Sequence, residues 1–376
     1  MAYQNVGTPR FYINALEWVS TKGIQEINPI FFTNVDVKDY DMSGHDGYND
    51  NPQYDVGVPL NSILGNKAFF AYLGHNFATA GASVRLQETE SEGWNSPLQD
   101  IPIVNAEFSN TAPAGENAEW SMYAEQDGFS MHYANFTGLV DTQFTLRWDR
   151  YSGVDNVDGY NAQIKLGSIV IGNYYDMPHS PELKLTMTRE MDGVKRVRTK
   201  GGNDLVHHKY LKSPLWGYLP PWELDTYAAN PANAAHYATP RVGRRVWSMS
   251  FNYMSGSDMF GSNESLLNYR DGYGYYPMTD LDDDTISSYN DDALYEAGEG
   301  NYFNYNLLTD DNFFSQVIHR LNGGQNRFIF NPAGGGTTPD NSPQNFAICK
   351  LDMKSFKFDQ ISPGLYRVKL KIREVW

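Results

Sequence analysis

From Tyr366 to Arg373, apolar Tyr366, Val368, Leu370 and Ile372 alternate strictly with basic Arg367, Lys369, Lys371 and Arg373. Successive side chains of a strand point to opposite faces, so the spacing predicts a strand that is apolar on one side and wholly basic on the other. In a chain of net charge −16, four like charges on one face require an acidic counterpart. Another part of the chain, a neighbouring subunit or a polyanion would each serve. The segment ends on Trp376, a large apolar residue, which predicts an end tied down by packing.

The same period of two recurs along the chain. Ala82 to Gln87 alternates through Val84 and Leu86, and Gln143 to Trp148 through Phe144, Leu146 and Trp148. Leu183, Leu185 and Met187 alternate with Lys184, Thr186 and Thr188, and Trp247, Met249, Phe251 and Tyr253 alternate with small polar residues. Ala68 to Leu73 is a plain apolar run, and Ile164 to Gly172 reads as the last strand of this first group. Short strands divided by polar loops, without long helices between them, predict an all-β, mainly antiparallel fold. The expected architecture is a jelly-roll-like sandwich over 25–172, preceded by an N-terminal arm over 1–24. A second β domain over 173–376 would carry one or two short helices.

Two helices are expected. Arg10 to Lys22 places Phe11, Leu16 and Val19 roughly on one side before Gly23. The second has Asp310 and Asp311 as its cap, Phe313, Phe314, Val317, Ile318 and Leu321 at helical spacing, and Gly323 with Gly324 as its stop.

Charge is segregated. Asp258 to Asp311 holds thirteen Asp and Glu against Arg270 alone, and its core, 262–309, reads as an acidic interaction loop. Asn345 to Trp376 carries seven Lys and Arg against three acidic residues. This polarity argues against nucleic acid, whose binder needs a net basic footprint, and favours charge-matched contact between segments or subunits. The residues expected to meet are Arg367, Lys369, Lys371 and Arg373 on one side and Asp280, Asp282, Asp283 and Asp284 on the other. Aromatic residues make up 14% of the chain and charged ones only 20%, so its surface must be rich in Tyr and small polar groups, a composition suited to lasting contacts.

Catalytic and metal constellations are missing from the sequence. Asp280, Asp282 and Asp284 match alternate positions of a calcium loop, but Thr285 stands where the turn needs Gly and Asp291 where a bidentate Glu belongs. His207 and His208 are adjacent and would point apart on a strand. The single Cys349 shares an apolar face with Ala347, Leu351 and Met353 and reads as a buried, inert thiol. No Gly-x-Ser-x-Gly or His-Glu-x-x-His occurs, so no catalytic residue, metal or cofactor is expected. A glycosidase would need only two inward carboxylates, which obey no sequence spacing. Among Trp94, Trp120 and Trp148, Trp94 lies in the most polar loop and is the candidate for stacking on a sugar ring. The start of the chain has no basic segment followed by an apolar run, and no stretch is long and apolar enough to span a membrane, which predicts cytoplasmic synthesis without membrane insertion.

The order of segments carries a resemblance. "LGSIVIGNYY", "SPELKLTMTRE", "GRRVWSMSFNYM", "DDNFFSQVIHRLNGG", "RFIFNP" and "LYRVKLKIREVW" resemble the C-terminal half of tail proteins of tailed bacteriophages. Over Leu166 to Trp376 the chain is similar to distal tail and minor tail proteins, and over Ala68 to Gly172 it shares their architecture, a carbohydrate-binding-like sandwich. The resemblance implies a virion structural protein of the tail tip or baseplate, docked to identical subunits in a ring and to other tail proteins. A carbohydrate-recognising adsorption module that binds a host surface glycan, and a head decoration or fibre protein, are the alternatives it leaves open.

Overall fold

The computed structural model describes residues 7–21, 29–33, 53–56, 64–89, 97–101, 103–107, 109–111, 121–124, 127–136, 143–150, 164, 166–191, 194–208, 243–259, 311–342 and 345–375. The first strands are β1 (Thr8–Asn14), β2 (Gln53–Val56), β3 (Ala68–His75), β4 (Ala82–Thr89), β5 (Pro97–Asp100) and β6 (Ile103–Glu107). Next come β7 (Ser109–Thr111), β8 (Ser121–Ala124), β9 (Gly128–Ala134), β10 (Gln143–Arg150) and β11 (Ser168–Asp176). The remainder are β12 (Thr186–Glu190), β13 (Val194–Arg198), β14 (Asp204–His208), β15 (Arg244–Ser255), β16 (Phe328–Gly335), β17 (Ala347–Leu351), β18 (Phe358–Ser362) and β19 (Leu365–Glu374).

Every pairing among them is antiparallel, and the fold is all-β as expected. One large sheet runs in the order β12-β15-β19-β17-β16-β1-β11-β3-β9-β6, with β18 added to β19. A second has the order β2-β10-β4-β8-β7 with β5 on β4, and β13 pairs with β14 by itself.

Three apolar clusters follow from strand alternation. Phe70, Tyr72, Ile169 and Ile171 from the large sheet meet Val84, Leu86, Phe144, Leu146 and Trp148 from the second, so the two sheets pack face to face. Phe144 sits edge-on to Phe70 with ring centroids 5.7 Å apart. Further along the same face of β11, Tyr175 and Met177 join Phe11, Trp247, Phe251, Phe330 and Ile372 in the next cluster. Tyr12, Phe69, Leu73, Met131 and Val170 point the other way into the third.

β1 holds this arrangement together. It lies between β11 and β16, and both of its faces are buried, Phe11 and Ile13 on one side and Tyr12 on the other. Thr8–Asn14, expected in an arm and in part as helix, is therefore a central strand. The expected helix shortens to Ala15–Thr21, because the residues before it, through Asn14, are taken up in pairing with β11 and β16. Asn14 caps it, accepting the Glu17 backbone N–H at 3.1 Å. The helix then buries Ala15, Leu16, Trp18 and Val19 at one end of the sandwich core. Residue 172, the expected boundary between domains, falls inside β11, which continues to Asp176 and pairs with β1 along the way.

The second expected helix winds as a π-type segment, Phe314–His319, followed by a 3-10 turn at Asn322–Gly324. Its cap is Asn312, whose Oδ1 accepts the Ser315 N–H at 2.9 Å. Asp311 instead pairs with Lys67 at 2.6 Å. Phe313, Val317 and Leu321 are buried as their spacing required, and Gly323 stops the winding with φ 68°.

Candidate functional site

β12, β15 and β19 turn one face to the apolar interior and the other outward. On β19, Val368, Leu370 and Ile372 are buried while Lys369 and Lys371 are exposed, which realises the two-faced strand read from the sequence. The register sets Ser250 opposite Lys369, and Ser248 opposite both Lys371 and Thr186. The central strand thus presents small hydroxyls between taller neighbours. Lys184, Thr186, Ser248, Ser250, Lys369 and Lys371 line a trough of about 350 Å³ on this face.

Three of the four basic residues of β19 find partners within the chain. Lys371 Nζ lies 2.6 Å from Asp352 Oδ2, Arg373 Nη2 lies 2.9 Å from Glu190 Oε2, and Arg367 Nε donates to Asn252 Oδ1. The fourth, Lys369, has no ion-pair partner among the described residues. Asp359 is near it, but that carboxylate is bonded by Lys357 at 2.7 Å. The Lys357 bond first, with Lys369 and Arg367 adding to it, holds the Asp359 carboxyl below the usual carboxylate range. Asp280, Asp282, Asp283, Asp284 and the sugar-stacking candidate Trp94 lie outside the described residues. Trp148 is fully buried in the sandwich core and offers no stacking face.

A second exposed feature escaped the sequence reading. β13 and β14 form a hairpin whose strands pair only with each other among the described residues. Gly202 at φ 87° makes the turn, and the Thr199 and Asn203 N–H groups are taken by Asn203 O and Thr199 Oγ1 at 2.8 and 3.1 Å. Val197 and Leu205 stand directly opposite one another and are 48% and 59% exposed. Lys195, Arg196, Arg198 and Lys200 against Asp204 alone make the hairpin basic. The legible signal was Gly201-Gly202 between two short β-prone runs, Val194–Arg198 and Asp204–His208. His207 and His208 sit on consecutive positions of β14, in register with Lys195 and Val194 of β13.

No group of three or more potential metal ligands occurs among the described residues, and no described helix is long and apolar enough to cross a membrane. Cys349 is buried with Ala347 and Leu351 in the apolar interior. No family model, curated protein or solved structure matches the chain.

Proposed function

We propose that the chain is a structural subunit of a multi-copy assembly, with a mechanical and not a catalytic role, and that the assembly is the tail tip or baseplate of a tailed bacteriophage. Identical copies arranged in a ring, with other tail proteins as neighbours, are the partners this reading implies. The phage assignment draws on the segment order set out above. The β13–β14 hairpin carries the assembly reading. A two-stranded hairpin is marginally stable in water unless something covers it. This one exposes Val197, Leu205 and Val206, with 48%, 59% and 50% of their surfaces open. Among the described residues neither of its outer edges is paired, which leaves their backbone groups to a neighbour. Its basic side chains complement a chain of net charge −16, so a second copy is a partner of fitting charge.

The test is the oligomeric state by light scattering coupled to gel filtration. The wild-type chain forms a concentration-dependent oligomer, and Val197→Glu with Leu205→Glu converts it to monomer with an unchanged far-ultraviolet spectrum. A variant that keeps the wild-type mass, or a wild type that stays monomeric at high concentration, would sink the proposal.

A further inference from the structure

We infer that the trough on the outer face of the β12–β15–β19 sheet binds an oxyanion of the phosphate or sulfate class. Its floor is Ser250, whose hydroxyl oxygen is shielded from solvent yet has no hydrogen-bond partner among the described residues. A polar group left without a partner is costly, and a χ1 rotation that turns the hydroxyl into the trough lets a bound acceptor relieve that cost. Lys369 stands directly across from Ser250 on β19, and Lys184 closes the opposite wall. Neither ammonium group has an ion-pair partner among the described residues. Ser248, Thr186 and Lys371, the last shared with Asp352, add further donors to the lining, and Met249, Met353 and Leu370 complete it.

Donors that converge from two walls and a floor suit a compact ligand with acceptors in several directions, which a tetrahedral oxyanion provides. An extended polyanion fits less well. It would feel the repulsion of a chain with net charge −16, whereas a small ion senses chiefly the local field of the lysines. Lysine acts here as a point charge, so the site selects for charge and size more than for planar geometry. The site does not depend on subunit docking through the hairpin, since none of the trough residues belongs to β13 or β14.

Titration calorimetry on the full chain with inorganic phosphate and inorganic sulfate, against sodium chloride at matched ionic strength, tests the assignment. Saturable binding of both oxyanions is expected, weakened at least tenfold by the pair Lys184→Met and Lys369→Met, which keeps the apolar stems. Ser250→Ala, with an unchanged thermal midpoint, is expected to weaken binding severalfold and reports on the floor hydroxyl separately. A parallel arm with glucose 6-phosphate identifies the source: tighter binding than inorganic phosphate assigns a group carried on a sugar, and equal binding assigns the free ion. Heats no larger than those of chloride, or binding unchanged in the lysine pair, would overturn the site. Lysine variants that lose oligomerisation while keeping oxyanion affinity would make this face a subunit contact instead.

Discussion

Arg245 and Glu374, 129 residues apart, form a bidentate ion pair with both side chains only 1% exposed. Arg245 Nε donates to Oε2 at 3.0 Å and Nη2 to Oε1 at 2.8 Å. The Arg245 backbone N–H reaches Oε2 at 2.9 Å, and Nη2 also donates to the Phe346 carbonyl at 2.8 Å. The guanidinium lies 5.1 Å from the Trp247 ring centroid. The pair therefore ties β15 to β19, and the residue just before β17, at the end of the apolar interior. Leaving one member buried alone is far worse than removing both, because the orphaned charge loses its partner without regaining water.

Glu374→Gln and Arg245→Met should each destabilise the fold by about 3–5 kcal/mol, while the double replacement Arg245→Met with Glu374→Leu recovers most of that loss. Urea denaturation of the four proteins checks this. Single variants within 1 kcal/mol of wild type, on the order expected only of exposed pairs, would contradict it.

The surface pairs behave differently. Arg373–Glu190 and Lys371–Asp352 have side chains about a third to a half exposed, so water competes for both partners. Glu190→Gln and Asp352→Asn should each shift stability by less than about 1 kcal/mol, and the effect should fade at high salt. The same denaturation experiment at low and high sodium chloride measures it. A loss as large as that of Glu374→Gln would show that these pairs are not surface contacts.

Two buried histidines predict acid sensitivity. His75 accepts the Phe77 N–H at Nδ1, at 3.2 Å, so its Nε2 carries the proton and donates to Ser130 Oγ at 2.9 Å. His132 stacks on Phe70 at 5.0 Å, and neither of its ring nitrogens has a hydrogen-bond partner among the described residues. Burial disfavours the imidazolium and pushes both pKa values from 6.5 down to about 3. Between those limits the unfolded chain takes up protons that the native state refuses. Stability is therefore full above about pH 6.5 and falls as the pH drops toward 3, by up to about 1.4 kcal/mol per pH unit for each histidine. His132→Phe should remove one share, gaining about 2 kcal/mol relative to wild type on going from pH 7.5 to pH 5. Equal pH profiles for the two proteins would refute it.

Strands with one wet face were legible because one rule governs them: β10 and β19 bury Phe144, Leu146, Trp148, Val368, Leu370 and Ile372 as their alternation required. β1 was not, because burial on both faces erases the polar half of the pattern and leaves an apolar run that a helix could also use. The π-type helix was found from Phe313, Val317 and Leu321, but its cap was misplaced, since Asp311 and Asn312 are both good caps and only the tertiary pairing of Asp311 with Lys67 decides between them. At the site, Lys369 and Lys371 announced themselves by spacing. Lys184 and Ser250 come beside them only through sheet register, and Arg245 meets Glu374 only through strand order, neither of which local sequence encodes.

Gly172 gives the sharpest test of the β1–β11 seam. It pairs with Asn14, at the point where β1 ends and the Ala15–Thr21 helix begins. A Cβ at 172 would lie 1.7 Å from the Ile13 carbonyl oxygen and 2.8 Å from the Ala15 nitrogen. Both are backbone atoms, so no side-chain rotation relieves the clash, and either the cap or the strand pairing must break. Gly172→Ala should cost more than about 3 kcal/mol, beyond the usual range for overpacking, or yield insoluble protein. Gly256→Ala is the control, because its nearest neighbour would be a Tyr366 ring carbon at 3.8 Å, an ordinary contact. It should be neutral or stabilising by under about 1 kcal/mol. Thermal midpoints and soluble yield of the two variants, measured side by side, settle the matter: a Gly172→Ala protein as stable as the control would mean that β1 does not approach β11 as closely as this geometry requires.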